Sequence, residues 1–375
     1  MKESIRTDPA RLRPFVEGHP LLSRLAAESS PERPIYLAGG AVRDVLAGAD
    51  VLDYDLVVES GAAELGRSLA PDALVHERFG TAELETEGHR VDIATSREET
   101  YERPGALPDV AIPAPIERDM ARRDFTVNAM AVPLHDPERV IDPFGGGDDL
   151  RNGILRVLHE RSFADDPTRA LRAARYSARF GFDLDAETAA MLPAVDLDTV
   201  SEDRRARELE LIAGERTGVE ALRLVTAWGL LEIPAERLDL ADAAVSLLED
   251  EIWVGRTERA DVVLRVIGGD FRELSPDEPE TPYAGVLLAH GLRPSEALIN
   301  RARGCLWLDR YEEEWSKVRL LITGDDLVLA GIPQGPAIGI GLAAALRAKL
   351  DRGIAGIEPE LEIAVGAAEA VIAGE

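Results

Sequence analysis

The chain has almost no cysteine and very little lysine. Cys305 is the single cysteine in 375 residues. That excludes an intrachain disulfide framework and a zinc site built from several thiolates of one chain. Lysine occurs only as Lys2, Lys317 and Lys349, so the cations are nearly all arginine, a bias that a GC-rich genome largely accounts for. Positive charge is scarce altogether: 42 Lys and Arg face 70 Asp and Glu, a formal net charge of −28. A balance of that sign argues at first sight against a phosphate-backbone partner. No uninterrupted apolar run approaches membrane-spanning length. Residues 1–15 are polar and charged, without the apolar segment of a signal peptide. Together these absences predict a cytoplasmic protein with no membrane partner. The acidic excess suggests a salt-rich cytoplasm, a hypothesis that loss of activity on raising salt to molar levels would refute.

What is present is a folded chain. Apolar residues make up 45% of it, enough for two or more compact units with their own cores. Residues 1–30 read as one or two helices. From Ile35 to about Val140 the texture is mixed, with short β-type runs at Asp55–Val58, Ala82–Thr86 and His89–Ala94. After Ile154 it turns helical, Leu171, Ala174 and Ala178 falling at helical spacing, with breaks at Gly268–Thr281 and Gly331–Pro336. The charge is uneven as well: residues 151–180 hold seven arginines against Glu160, Asp165 and Asp166.

One stretch carries chemistry. Pro34–Ala38 reads as a buried strand. Gly39-Gly40 then permits a sharp turn and a close backbone approach to an anion. Ala41–Ala47 reads as a short helix with Arg43 in its first turn, and Asp53–Val58 as a second strand. Alternation puts Asp53 and Asp55 on one face of that strand. Two carboxylates on a rigid face beside a phosphate-binding turn suit Mg²⁺-assisted displacement at phosphorus.

Further clusters follow. Asp92 lies opposite Val91 and Ile93, either as a third acid near the pair or as the solvated side of an edge strand; the second reading is preferred. Tyr101–Pro108 reads as a long surface loop, of the kind that often serves an active site. Arg122 and Arg123 offer donors to a triphosphate, and Asp124 and Asn128 groups that orient ribose hydroxyls. The same stretch also reads as a helix start capped by Asp124. Asp165-Asp166-Pro167-Thr168-Arg169 opens the basic helix. Asp166 is a natural N-cap before Pro167, and Asp165–Arg169 an i,i+4 pair. Alternatively, Asp165, Asp166 and Arg169 read a base edge, the acids accepting from the amino groups of cytosine or adenine. Arg169, Arg172, Arg175 and Arg179 fall within about a third of the helical circumference, a stripe able to track a phosphate backbone.

Taken together, these motifs resemble the class II tRNA nucleotidyltransferase and bacterial poly(A) polymerase family, within the polymerase-β-like nucleotidyltransferase superfamily. The likeness rests on Gly39–Asp44 with Asp53-Tyr54-Asp55, on Arg122–Ala129, and on Asp165–Arg169 with Arg172–Tyr176. Gly324–Leu327 and Gly331–Pro336 also look like this family's C-terminal region. The resemblance implies an α/β nucleotidyltransferase head, a mixed sheet with flanking helices, followed by an extended all-α neck, body and tail in a seahorse-like layout. The expected divisions are 1–150 for the head, 151–215 for the neck, 216–320 for the body and 321–375 for the tail. It implies Asp53 and Asp55 as catalytic residues holding Mg²⁺. Gly39, Gly40, Arg43, Arg122, Arg123, Asp124, Asn128, Arg172 and Arg175 are expected at the nucleotide, and Asp165, Asp166 and Arg169 as a protein template that selects CTP and ATP. The partner implied is tRNA, gripped by its acceptor and T arms.

Two features depart from the commonest members. Asp165 stands where many have Glu, and the Tyr101–Pro108 loop looks more like that of CC-adding, A-adding and poly(A)-type relatives. CCA completion is therefore the expected activity, with CC addition, A addition or poly(A) synthesis as alternatives. A small-molecule nucleotidyltransferase would leave the helical half idle. A catalytically dead RNA-binding module conflicts with intact Asp53, Asp55 and Arg123.

Overall fold

The structure, a computed structural model, describes residues 8–374 except 52, 78, 79 and 87. The first seven positions of the polar stretch 1–15 thus lie outside the described residues. The chain forms two compact units, Met1–Glu232 and Ile233–Glu375.

In the first unit, α1 (Leu12–Gly18) and α2 (Pro20–Glu28) precede β1 (Ile35–Ala38), α3 (Gly40–Ala47), β2 (Asp53–Val58), α4 (Ala62–Leu69), β3 (Leu74–His76), β4 (Thr81–Thr86) and β5 (His89–Thr95). Next come β6 (Glu98–Thr100), β7 (Asp109–Ala111), α5 (Ile116–Ala121), β8 (Ala131–Pro133) and α6 (Gly146–Asn152). The six-stranded sheet runs β3-β4-β5-β2-β1-β8. It is mixed, with β2 parallel to β5 and antiparallel to β1. Every side chain of β1 is buried, as its unbroken apolar sequence requires of a central strand.

The two sheet faces have different work. Leu37, Leu56, Val91 and Ile93 pack in the main core with residues of α1, α2 and α3. Tyr36, Ala38 and Val57 pack on the other face against Ile116 and Met120 of α5. Asp53 and Asp55 share the parity of Val57, so alternation sets them on the α5 side. The parallel register puts Asp55 opposite Asp92. That corrects the edge-strand reading of Asp92: β5 lies inside the sheet, between β4 and β2.

Beyond the head, β9 (Ile154–Leu155) pairs with β10 (Asp183–Leu184) around α7 (Ser162–Asp165) and α8 (Thr168–Phe180). Then come α9 (Ala186–Met191), α10 (Glu202–Gly214) and α11 (Gly218–Ala227). Helices α10 and α11 both pack on α8.

The second unit is built from α12 (Ala235–Ser246), α13 (Arg259–Gly268), α14 (Pro282–Ala289), α15 (Pro294–Ala302), α16 (Trp307–Glu313), α17 (Gly324–Leu329), α18 (Pro336–Arg352) and α19 (Ile357–Ala373). The breaks read at Gly268–Thr281 and Gly331–Pro336 separate α13 from α14 and α17 from α18. Small residues let α18 and α19 approach closely, with Ala345, Ala364 and Ala368 wholly buried. Cys305 is buried and unpaired. Among the described residues no helix is long and apolar enough to cross a membrane.

Candidate active site

The site begins at the turn after β1. Gly39 has φ +68°, a left-handed conformation that glycine adopts without steric cost. A Cβ there would collide with the Arg123 guanidinium and lie 3.3 Å from Asp55 Oδ2. The missing side chain is what lets Arg123 approach β2. Burial pushes the Asp55 carboxyl above its ordinary range; the Arg123 charge opposes this, and the Asp92 and Asp53 charges add to it.

Arg123 and Arg122 are aimed by one acid. Asp119 Oδ1 accepts from Arg122 Nε at 2.9 Å, and Oδ2 from Arg123 Nη2 at 3.2 Å. Asp119 is fully buried. Burial opposes its charge, yet the two guanidiniums outweigh it and hold the carboxyl below its usual range. Asp119 was not among the expected residues, although its i,i+3 and i,i+4 spacing to the arginine pair carries the signal.

The helix start read at Asp124 is corrected. The α-helix ends before Arg122, and Thr126–Asn128 make only a 3₁₀ turn. Asp124 forgoes capping because it is drawn into a buried network. Its Oδ1 accepts from Asn128 Nδ2 at 2.9 Å and its Oδ2 from Arg172 Nε at 2.8 Å. Asn128 Oδ1 in turn accepts from Arg43 Nη1 at 2.6 Å. The Arg43 guanidinium lies 4.4 Å from the Phe180 ring centroid, a cation–π contact.

The second cluster is also rearranged. Asp165 pairs with Arg161 at 3.0 Å, not with Arg169. Arg169 instead donates to Ser162 Oγ at 2.6 Å and to the Arg122 carbonyl at 2.7 Å. Asp166 Oδ1 accepts from Thr168 N at 3.0 Å, so the expected N-cap is present. Asp166 and Arg169 face the main cavity, whereas Asp165 lines a smaller neighbouring one with His159. Within the arginine stripe, Arg169 is 5% and Arg175 8% exposed, Arg172 and Arg175 pair with Glu208 of α10, and Arg179 is exposed.

These elements enclose a cavity of about 590 Å³. Gly40, Arg43, Asp55, Arg122, Arg123, Asp124, Asn128, Asp166, Arg169, Arg172 and Arg175 all line it; Gly39, Asp53 and Asp165 do not. Sequence reasoning missed Arg97, Glu99 and Arg204 in its wall, and left Arg179 out of the nucleotide set. Nine arginines against six acids give the wall a positive balance inside a strongly acidic chain, a local field suited to a polyanion. Two arginine nitrogens, Arg123 Nε and Arg175 Nε, are buried without a hydrogen-bond acceptor. Tyr101 at the start of the expected loop also lines the cavity; burial and Glu99, which accepts from its hydroxyl at 3.0 Å, push that phenol up to about 12.

The acids fit a hard divalent cation. Oxygen donors on one strand face suit Mg²⁺, which is usually held by one or two carboxylates and completed by substrate phosphates and water. A doubly positive ion would relieve the mutual repulsion that Asp55 bears. Among the described residues no group of three or more His, Cys, Asp or Glu could hold a metal alone. Asp92 pairs with Arg90 at 3.4 Å, and its charge acts on Asp55 across the strand pair.

A mixed sheet with paired acids beside a glycine turn, joined to helices that bring arginines over it, defines a nucleotidyltransferase with a helical extension. The poly A polymerase head domain family matches residues 35–156. The CC-adding tRNA nucleotidyltransferase of Deinococcus radiodurans is 30% identical across 86% of this chain and 86% of its own length. The A-adding tRNA nucleotidyltransferase of Aquifex aeolicus is 44% identical, over 52% of this chain and 25% of its own. Among solved structures, an apo CCA-adding enzyme matches with TM-score 0.76 and 28% identity, covering 99% of this chain and 97% of that one. The Thermotoga maritima CCA-adding enzyme complexed with tRNA matches with TM-score 0.74 and 26% identity, covering 96% and 98%. The chain belongs to the family of CCA-, CC- and A-adding tRNA nucleotidyltransferases. It spans only 25%, 47% and 46% of the length of three A-adding relatives. Nucleotidyltransferases of this family use divalent metal ions.

Proposed function

We propose that this protein transfers nucleotides from CTP and ATP to the 3′ end of tRNA, without a nucleic-acid template, completing or repairing the CCA terminus and releasing pyrophosphate. One observation carries the reading: Asp55 of the head and the Asp166–Arg169 pair of the helical region line the same arginine-rich cavity. A nucleoside triphosphate is the ligand whose parts need all three surfaces. Its base faces Asp166 and Arg169, its triphosphate the arginines, and its α-phosphorus the β2 acids.

The chain's own groups do most of the work by positioning. Gly39 and Gly40 give the triphosphate a close backbone approach, and Arg123 and Arg175 supply donors that lack protein acceptors. Asp124 and Asn128 stiffen the wall on the ribose side. Asp166 accepts from the amino group of cytosine or adenine, which uracil and guanine cannot offer at that position. Asp53 and Asp55 hold Mg²⁺, which supplies charge stabilisation for the attacking 3′-oxygen and the leaving pyrophosphate. Residues 1–150 serve as head, 151–215 as base-selecting neck, and 216–320 and 321–375 as body and tail that take the acceptor and T arms through shape and backbone. The place of action is the cytoplasm, where tRNA is matured.

A second reading, an A-adding specialist, is favoured by the 44% and 40% identity to A-adding relatives. Incubation of labelled CTP or ATP with tRNA ending before CCA, after C and after CC separates the two. Additions from both nucleotides that stop at CCA support the first reading. Addition of A alone to the CC end supports the second, and no incorporation on any RNA overturns both.

A further inference from the structure

Base selection by a single carboxylate needs that carboxylate to present one acceptor in one direction. Asp166 sits between α7 and α8 with nothing covalent to fix its rotation. Its Oδ1 accepts from Thr168 N at 3.0 Å and from Thr168 Oγ1 at 2.6 Å. A charged partner comes from a different element: Arg204 of α10, whose Nη2 forms an ion pair with the same oxygen at 2.9 Å. Two hydrogen bonds fill the lone pairs of Oδ1 and the ion pair holds the same oxygen, so Oδ2 is the atom left to accept from a ligand. Arg204 lines the cavity beside Asp166 and is itself held by Nη1 donation to the Gly105 carbonyl at 3.1 Å. Two fixed ends on a planar guanidinium set its plane, which a lysine cannot reproduce.

We infer that Arg204 is a specificity-determining positioning residue: by occupying Asp166 Oδ1 it fixes Oδ2 as the single acceptor offered to the incoming base. Arg204 touches neither the metal acids nor the base in this scheme, and it acts through Asp166. Its loss removes the one charged partner that ties Oδ1 to another element and loosens the carboxylate's rotation, while the Thr168 contacts keep the helix cap. The consequence is a loss of discrimination and not a loss of chemistry.

The inference rests on the nucleotidyl-transfer reading, and its test separates the two. Single-nucleotide incorporation is measured for CTP, ATP, UTP and GTP on tRNA lacking CCA and on tRNA ending in CC. The proteins compared are the unaltered chain, Arg204→Met, Arg204→Lys and Arg205→Met. Arg205 is on the same helix but pairs with exposed Asp198, so it controls for general damage to α10. Failure of the unaltered chain to incorporate any nucleotide sinks the functional reading itself. Given activity, the expected result is a fall of about tenfold or more in the kcat/KM ratio of correct to incorrect nucleotide for Arg204→Met. The fall should come mainly from a raised KM for the correct nucleotide, with the melting temperature within a few degrees of the parent. Arg204→Lys should restore part of the ratio and Arg205→Met should leave it unchanged. An unchanged ratio in Arg204→Met, or an equal fall in Arg205→Met, overturns the assignment.

Discussion

Buried Asp124 and partly exposed Arg172 form an ion pair between the head segment after α5 and helix α8, with Oδ2 2.8 Å from Nε and 2.7 Å from Nη2. Burial alone would raise the Asp124 carboxyl. The Arg172 charge and the Asn128 hydrogen bond outweigh it, leaving a value of about 2. Because the folded-state value lies below the ordinary one, the stabilisation is complete above about pH 4 and is lost as pH falls toward 2.

Removing Asp124 leaves Arg172 to Glu208 and takes from Asn128 Nδ2 its buried acceptor. Asp124→Ala is expected to lower unfolding free energy by about 1–3 kcal/mol, read from urea midpoints at neutral pH. A change below about 1 kcal/mol would show that the pair is dispensable. The parent should also lose stability on acidification below about pH 4 more steeply than Asp124→Asn.

Asp55 carries the opposite sign. Its folded-state value is raised, so its contribution to stability is present at low pH and is lost as pH rises through that raised value. Asp55→Asn should therefore melt higher than the parent at pH 7 without divalent cations. It should lose roughly 10³-fold or more in turnover, the scale seen when preorganised electrostatic stabilisation is removed. Adding Mg²⁺ should raise the melting temperature of the parent and not of the variant. A variant that melts lower, or keeps near-parental turnover, contradicts this account of the site.

Asp166→Asn separates capping from base reading. Asparagine caps helices as well as aspartate does, so the melting temperature should hold. The acceptor-only group becomes an amide that also donates, and discrimination against UTP and GTP should fall by about tenfold or more. If discrimination is intact, Asp166 is a helix cap alone.

Much of this was legible beforehand because it is local. The run Ile35–Ala38, the glycine turn and the alternation of Asp53 and Asp55 are decided within a few residues, and β1, α3 and β2 follow them. The N-cap role of Asp166 was equally local. What escaped was partner choice across long sequence separations. Asp124 lies 48 residues from Arg172, and that pairing replaced the helix cap its neighbours suggested. Asp165 had arginines four residues away on both sides and took Arg161. Asp92 looked like a solvated edge because nothing in seven residues of strand reveals which neighbours flank it. Arg204 gave no local sign at all, since its partners Gly105 and Asp166 come from two other segments.

Gly39→Ala tests the turn. At φ +68° and ψ −131° a side chain costs about 1–3 kcal/mol, and the added Cβ displaces the Arg123 guanidinium. Nucleotide KM should rise along with a modest loss of stability. Unchanged kinetics would mean that Arg123 need not approach β2.

The most direct test follows the label. CTP or ATP carrying a labelled α-phosphate, or in parallel ATP with a labelled γ-phosphate, is incubated with Mg²⁺ and tRNA lacking its CCA end, using the parent and Asp55→Asn. The account predicts α-label on the RNA 3′ end with one pyrophosphate released per addition, no γ-label on RNA, and neither product with the variant. Absence of α-label from RNA with the parent protein, or transfer of the γ-label, would contradict it.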